Sequence, residues 1–208
     1  MLKIWGRPTS SNVMKVVWTC AELGLPFERV DIGGPFGGNR EPDYLAKNPN
    51  GLVPTLEEPD GFLLWESNAI VRYLAALHDA GGLWPEDARL RADADRWMDW
   101  QLTRVGPVYG PIFHGLVRTP PEKRDPASIA AAVAATADLF AVLEERLAGR
   151  AYLCGDRLTM ADIPYGPILH RWFRLDFDRP PFPALEAWYG RLCGRPAFAR
   201  QVVDIPIV

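Results

Sequence analysis

The chain has 208 residues, 48% hydrophobic and 24% charged, with 26 acidic against 23 basic side chains and a formal net charge of -3. That length suffices for one or two packed domains, the composition excludes a disordered chain, and the charge offers no broad cationic field for phosphates, which excludes nucleic acid as the main ligand. Cys20, Cys154 and Cys193 are far apart and form neither a C-x-x-C pair nor a disulfide framework, which suits a reducing compartment such as the cytoplasm.

The opening residues, Met-Leu-Lys-Ile-Trp-Gly-Arg, lack the apolar core of a signal peptide, and 3–5 reads as a short strand ending at Gly6. Thr9, Ser10 and Ser11 are candidate N-caps for a helix running to about 23, with Val13, Val16, Val17, Cys20 and Ala21 on one face. Gly24 suits the left-handed residue after a helix, Leu25 the apolar contact beyond it, and Pro26 the stop. A second strand is expected over 27–32. The glycine-rich loop 33–38 lacks G-K-[ST] and G-x-G-x-x-G and reads as a flexible surface loop, and 41–46 reads as a short helix. Strands over 54–56 and 62–64, joined through Pro59-Asp60-Gly61, precede a helix over 67–77 with Ile70, Val71 and Leu74 on one side. The order βαβαββα predicts an α/β unit of thioredoxin-like type with a right-handed parallel crossover.

Strand signals end after Gly81-Gly-Leu-Trp-Pro85, so 1–79 is expected to be one domain, 80–87 a linker and 88–208 an all-α helical domain. Helical patterns occupy 88–116 and 127–147, the first interrupted by Gly106, Pro107, Gly110 and Pro111, where a kink or break is expected. The Ala-rich stretch 129–143 is broken by Thr136 and Asp138, and no membrane span is expected from it. Thr159 and Asp162 form a capping box with a staple between Leu158 and Ile163, and Pro164 predicts an irregular first turn. The last helical segments are expected over 182–192 and 196–201, separated by Gly194.

Three groups of residues carry chemistry. Thr9, Ser10, Ser11 and Asn12 lie at a helix N-terminus, where free N–H groups and the macrodipole favour an anion such as a thiolate. A serine that only caps the helix fits the same residues. In Asn48-Pro-Asn-Gly-Leu-Val53-Pro54, the proline sits where a strand tolerates it and leaves Val53 able to offer its backbone to a peptide. Glu66 and Ser67 stand at the start of a helix, an acid for an ammonium and a hydroxyl for a carboxylate; a solvated acid and a plain N-cap fit equally. His78, His114 and His170 have no metal-ligand spacing and no G-x-S-x-G elbow accompanies them, so neither a metal nor a serine-hydrolase site is expected.

Taken together, Ser10-x-Asn12-x-x-Lys15-Val16, Asn48-Pro-x-Gly-x-Val53-Pro54, Glu66-Ser67-x-Ala-Ile-x-x-Tyr73-Leu and Leu-Thr159-x-x-Asp162-Ile resemble the glutathione transferase family over nearly the whole chain, in its bacterial serine-type form. The resemblance implies a cis Pro54, a Val53 backbone bonded to the cysteinyl part of glutathione, and Glu66 and Ser67 on its γ-glutamyl end. It implies that Ser10, Ser11 or Asn12 meets the glutathione sulfur, whose free thiol pKa of about 8.5 must be lowered toward neutrality. The thiolate would then attack a small electrophile held by the helical domain, where the resemblance points to Trp100, Arg104, Tyr109, Phe113 and His114. Glutathione is implied as co-substrate, with no metal, and a homodimer as the assembly. The same serine-type site would also serve a glutathione-dependent disulfide or peroxide reductase, and a non-catalytic binding protein could keep the fold. Cys20 lies too far along the helix for mixed-disulfide chemistry.

Overall fold

In the computed structural model, which describes all 208 residues, the first strand β1 (Leu2–Trp5) pairs in parallel with β2 (Phe27–Val30) and antiparallel with β3 (Thr55–Glu57), which pairs with β4 (Leu63–Trp65). The sheet order is β2-β1-β3-β4, with Ile4 opposite both Arg29 and Leu56. The third strand begins one residue later than expected because Pro54 has no N–H for the ladder. The second strand stops at Val30, two residues short of the expected end.

The first helix α1 (Ser11–Glu22) crosses between β1 and β2 and ends as its sequence predicts. Gly24 takes φ 65, Leu25 N–H reaches Cys20 O at 2.9 Å and Gly24 N–H reaches Ala21 O at 3.3 Å, a complete Schellman closure. Val13, Val16, Val17 and Cys20 of α1 face the sheet, packed with Ile4, Leu56, Ile70 and Leu74. Ala21, expected on the same face, is only half-buried. The glycine-rich loop makes a short 3-10 turn over Gly34–Phe36, and α2 is a single turn, Pro42–Leu45. The α/β part closes with α3 (Ser67–His78), whose Ile70, Val71 and Leu74 are fully buried.

The remainder is helical: α4 (Ala88–Trp100), α5 (Gly106–Phe113), α6 (Pro126–Leu147), α7 (Gly166–Arg174), α8 (Pro183–Cys193) and α9 (Pro196–Phe198). The glycines and prolines after Trp100 do not break the helix. The chain stays helical from 88 to 118, and widened π turns at Gln101–Val105 and His114–Arg118 flank α5. Gly106 N–H bonds Gln101 O, five residues back, the spacing of a widened turn. Asp125 caps α6 through bonds to the amides of Ala127 and Ser128. This helix is long and apolar enough to cross a membrane by length and composition, with mean hydropathy 1.7, owing to its alanines; Phe140, Leu143 and Leu147 anchor it in the core.

At the capping box, Asp162 accepts from Thr159 N–H at 2.9 Å and from Leu153 N–H at 3.0 Å, but the regular helix waits until Gly166 after a 3-10 turn at Ile163–Tyr165. Gly166 is where α7 meets α1: a Cβ there would lie 2.5 Å from the Trp18 ring and 2.7 Å from Phe198. Trp18 and Phe198 meet edge to face, their centroids 4.7 Å apart. Through Met14 and Trp18, the other side of α1 joins the helical core with Val71 and Ala75 of α3.

Candidate active site

The helices α1 and α3 direct their N-termini to one place. The amides of Ser11, Asn12 and Val13 take no partner within the chain, nor do those of Ser67 and Asn68. The two ends are stitched together by the Ser67 hydroxyl, which donates to Asn12 Oδ1 at 3.3 Å. Converging free N–H groups and positive dipole ends make this a place for negative charge.

Ser10 occupies the N-cap of α1, with extended backbone (φ -80, ψ 122) and its carbonyl accepting from Met14 N–H at 2.9 Å. Its hydroxyl makes no capping bond. The plain-cap reading of these serines therefore fails, and the hydroxyl is available to the cleft in front of it. At α3 the cap position belongs to Glu66, with Ser67 the first helical residue. Glu66 holds φ 72, the one non-glycine residue with positive φ. Such a backbone costs an ordinary residue about 1–2 kcal/mol and is typical of sites where position outweighs stability.

The turn before Val53 spends its polar groups internally. Asn48 Nδ2 bonds Leu52 O at 2.9 Å, Asn39 Nδ2 bonds Gly51 O at 2.7 Å, and Tyr44 OH donates to Leu52 O at 2.6 Å. Val53 N–H and C=O take no partner in the chain, and the Val53–Pro54 bond is cis.

Between the start of α1 and the helical stretch 101–118 lies a cleft of about 360 Å³. Ser10, Ser11 and Asn12 line one wall; Leu102, Tyr109, Phe113 and His114 line the other. Three of the five residues expected in the electrophile pocket, Tyr109, Phe113 and His114, thus line this cleft. Trp100 and Arg104 are not. Positions 102, 106, 109, 110 and 113 share the face turned to the cleft, and residues two positions before 102 and 106 project about 200° away from it. Trp100 packs edge to face on Trp97, with centroids 5.6 Å apart, beside Val142 and Arg96, and Arg104 is exposed.

Sequence reasoning missed the cations. Lys15, in the quoted motif but given no role, is 2% exposed beneath the cleft, where Nζ donates to Asn68 Oδ1 at 3.2 Å and Gln101 Oε1 at 3.1 Å. Burial pulls its pKa down to about 7, against the opposing pull of Glu66. A lysine amid Val13, Met14, Val16 and Val17 was the signal that its ammonium had polar partners. Arg7, Arg118 and Arg171 also line the cleft. Buried Arg171 donates to Thr9 O at 2.8 Å and stacks on Phe113 at 3.9 Å from the centroid. Burial chiefly, with repulsion from Arg118 and Arg7, brings its pKa down to about 10. Arg171 lies 162 positions from Thr9 in sequence, and no local pattern announces that approach. The Tyr109 hydroxyl is buried without a partner, and burial raises its pKa, keeping the phenol protonated.

Family models described as the N-terminal and C-terminal domains of glutathione S-transferase match residues 9–77 and 107–196. Glutathione S-transferase GstB of Escherichia coli K12 is 44% identical over 208 residues, all of both chains. The chain belongs to the glutathione S-transferase family of enzymes. A theta class glutathione S-transferase from Xanthomonas axonopodis pv. citri, crystallised with glutathione bound, superposes with a TM-score of 0.95 at 46% identity, covering 100% of this chain and 99% of that one. The disulfide-bond oxidoreductase YfcG of E. coli is 32% identical across 98% of this chain and 95% of its own.

Proposed function

We propose that the protein binds glutathione along α3, Val53 and the start of α1, stabilises its sulfur as thiolate, and positions a small electrophile in the adjoining cleft for attack. The observation that carries this reading is the uncapped Ser10 hydroxyl beside the free amides of α1, facing a cleft that a second reactant can enter. On this reading Ser67 and Glu66 meet the γ-glutamyl end, the Val53 backbone pairs with the cysteinyl unit, and Ser10 donates to the sulfur, with Ser11 and the Asn12 amide beside it. Residues 1–79 serve as the glutathione-holding domain and 88–208 carry the second pocket, joined by 80–87. A cytoplasmic homodimer is part of the same proposal.

Lowering a thiol pKa by each unit requires about 1.4 kcal/mol of preferential thiolate binding. One hydroxyl, several amides and two helix ends act at that scale. The likeness to a disulfide-bond oxidoreductase makes thiol-disulfide exchange the second reading. Burial lifts Cys20 and Cys154 to about 12, so these two thiols stay protonated, and exchange at them would depend on glutathione as the thiolate source.

The test is a glutathione titration with thiolate ultraviolet absorbance recorded across pH for the wild type, Ser10→Ala and Ser11→Ala. Bound thiolate near neutral pH that disappears in Ser10→Ala supports the assignment. Bound thiol without thiolate points to a non-catalytic protein, and no binding overturns the reading.

A further inference from the structure

The second pocket is built for charge rather than for grease. Binding pockets for small molecules are mostly apolar, yet only four of the seventeen residues lining this cleft are hydrophobic, and none is acidic. The chain as a whole carries more acids than bases, so the segregation is local. Some arginines elsewhere are ion-paired, Arg72 with Asp95 and Asp99, Arg146 with Asp93 and Arg195 with Glu22, while others bond carbonyls, as Arg124 and Arg179 do, or face solvent. Arg7, Arg118 and Arg171 form no ion pair, and Arg7 Nε is buried without any hydrogen-bond partner.

Their placement is fixed by packing. Arg118 and Arg171 both stack on the Phe113 ring, their guanidinium carbons 5.4 Å and 3.9 Å from its centroid. Arg171 is also tied to Thr9 O, one residue before Ser10, so this charge stands beside the place assigned to the sulfur. Burial first, and repulsion between the guanidinium groups beside it, hold Arg7 and Arg171 below the usual guanidinium range, which places the three charges within each other's field. Unpaired cations crowded in a partly desolvated cleft are stabilised by an anion between them, and planar guanidinium groups suit a carboxylate.

Resting on the reading that glutathione is the nucleophile, we propose that the second substrate carries a carboxylate, received by Arg118 and Arg171 with Arg7 on the near side, so that the cleft selects anionic electrophiles over neutral ones of the same shape. In the reaction the thiol proton passes to water as the thiolate forms. The sulfur donates an electron pair to the electrophilic carbon, the bond from that carbon to its leaving group breaks, and the leaving group departs with the bonding pair. No oxidant or reductant takes part.

Product conjugates test the selection without requiring turnover. Calorimetric titrations would compare S-carboxymethylglutathione with S-carbamoylmethylglutathione, and S-(4-carboxybenzyl)glutathione with S-(4-carbamoylbenzyl)glutathione, each pair differing only in charge at one end. In at least one pair the carboxylate is expected to bind about tenfold more tightly, the gap narrowing as salt rises. Arg118→Gln, at an exposed position, is expected to erase most of that gap. Equal binding within both pairs overturns the proposal while leaving the transferase reading intact. A gap that Arg118→Gln and Arg171→Lys both leave unchanged also overturns it, as does an equal weakening of both members by those substitutions, which would assign the arginines to glutathione itself. Failure of all four conjugates and of glutathione to bind removes the transferase reading, and this proposal with it.

Discussion

The two walls of the cleft are made from different materials. The α/β wall, counted together with the α3 start and the Val53 peptide unit outside the cleft's own lining, is largely backbone: free amides at two helix starts, a free Val53 peptide unit, and one hydroxyl released from capping. The helical wall is side chains, with Phe113 between Arg118 and Arg171 and a tyrosine whose hydroxyl has no partner. A backbone site is specified by caps, turns and a proline, each a short pattern. A side-chain site depends on which residues distant elements bring together. The first wall can therefore stay constant while the second is re-tuned by single substitutions.

The sharpest way to break the contrast is Ser10→Ala. Loss of one donor to a developing or resident anion costs about 10²–10³ in rate, so kcat/KM for conjugation is expected to fall by that factor, with Ser11→Ala closer to wild type; steady-state kinetics with both substrates varied decides it.

Lys15 lies under the junction of the walls, and its effect is a slope with pH. Its pKa is about 7 when folded against 10.5 unfolded. Between those values the unfolded chain holds one more proton, so stability rises with pH by about 1.4 kcal/mol per unit from this group and is flat below 7. Denaturant unfolding of wild type and Lys15→Met at pH 7 and pH 9 should show the wild type gaining relative to the variant. Parallel stabilities would refute the assignment.

Glu66→Gly separates position from stability within the backbone wall. Glycine accepts φ 72 without strain, so the melting temperature is expected to hold or rise, by up to about 1 kcal/mol in stability. The KM for glutathione should rise about tenfold as the carboxylate is lost. A drop in stability with unchanged KM would make Glu66 purely structural. The smallest effect is expected from Arg104→Ala: both kinetic constants should stay within about twofold and stability within about 0.5 kcal/mol, because this side chain points away from the cleft.

The first wall was readable for a physical reason. Thr9 to Asn12, Val53-Pro54 and Glu66-Ser67 act through local backbone geometry, which short sequence patterns encode. The stop at Gly24-Leu-Pro26 was legible on the same ground. On the second wall, Tyr109, Phe113 and His114 line the cleft while Trp100 and Arg104 do not, because the π turn at Gln101–Val105 and the helix phase beyond it decide which side faces inward. Arg171 needed the docking of α7 against the start of α1, and nothing within either segment predicts that contact. The helix expected to kink or break at its glycines and prolines runs on through them, since widened turns offer the backbone an alternative that residue propensities do not register.

α1 is a partition shared by two interiors. The sheet leans on Val13, Val16 and Val17, the helical bundle on Met14 and Trp18, and the N-terminal end of the same helix lies between. Severing the chain between 79 and 87 would strip one side of that partition bare, so neither fragment should persist as a folded body. A molecule gripped at the first turn of α1 is consequently felt in both interiors at once. At a hundred times its dissociation constant it adds about 2.7 kcal/mol to the whole chain, registered as a later melt of everything together rather than of one half ahead of the other.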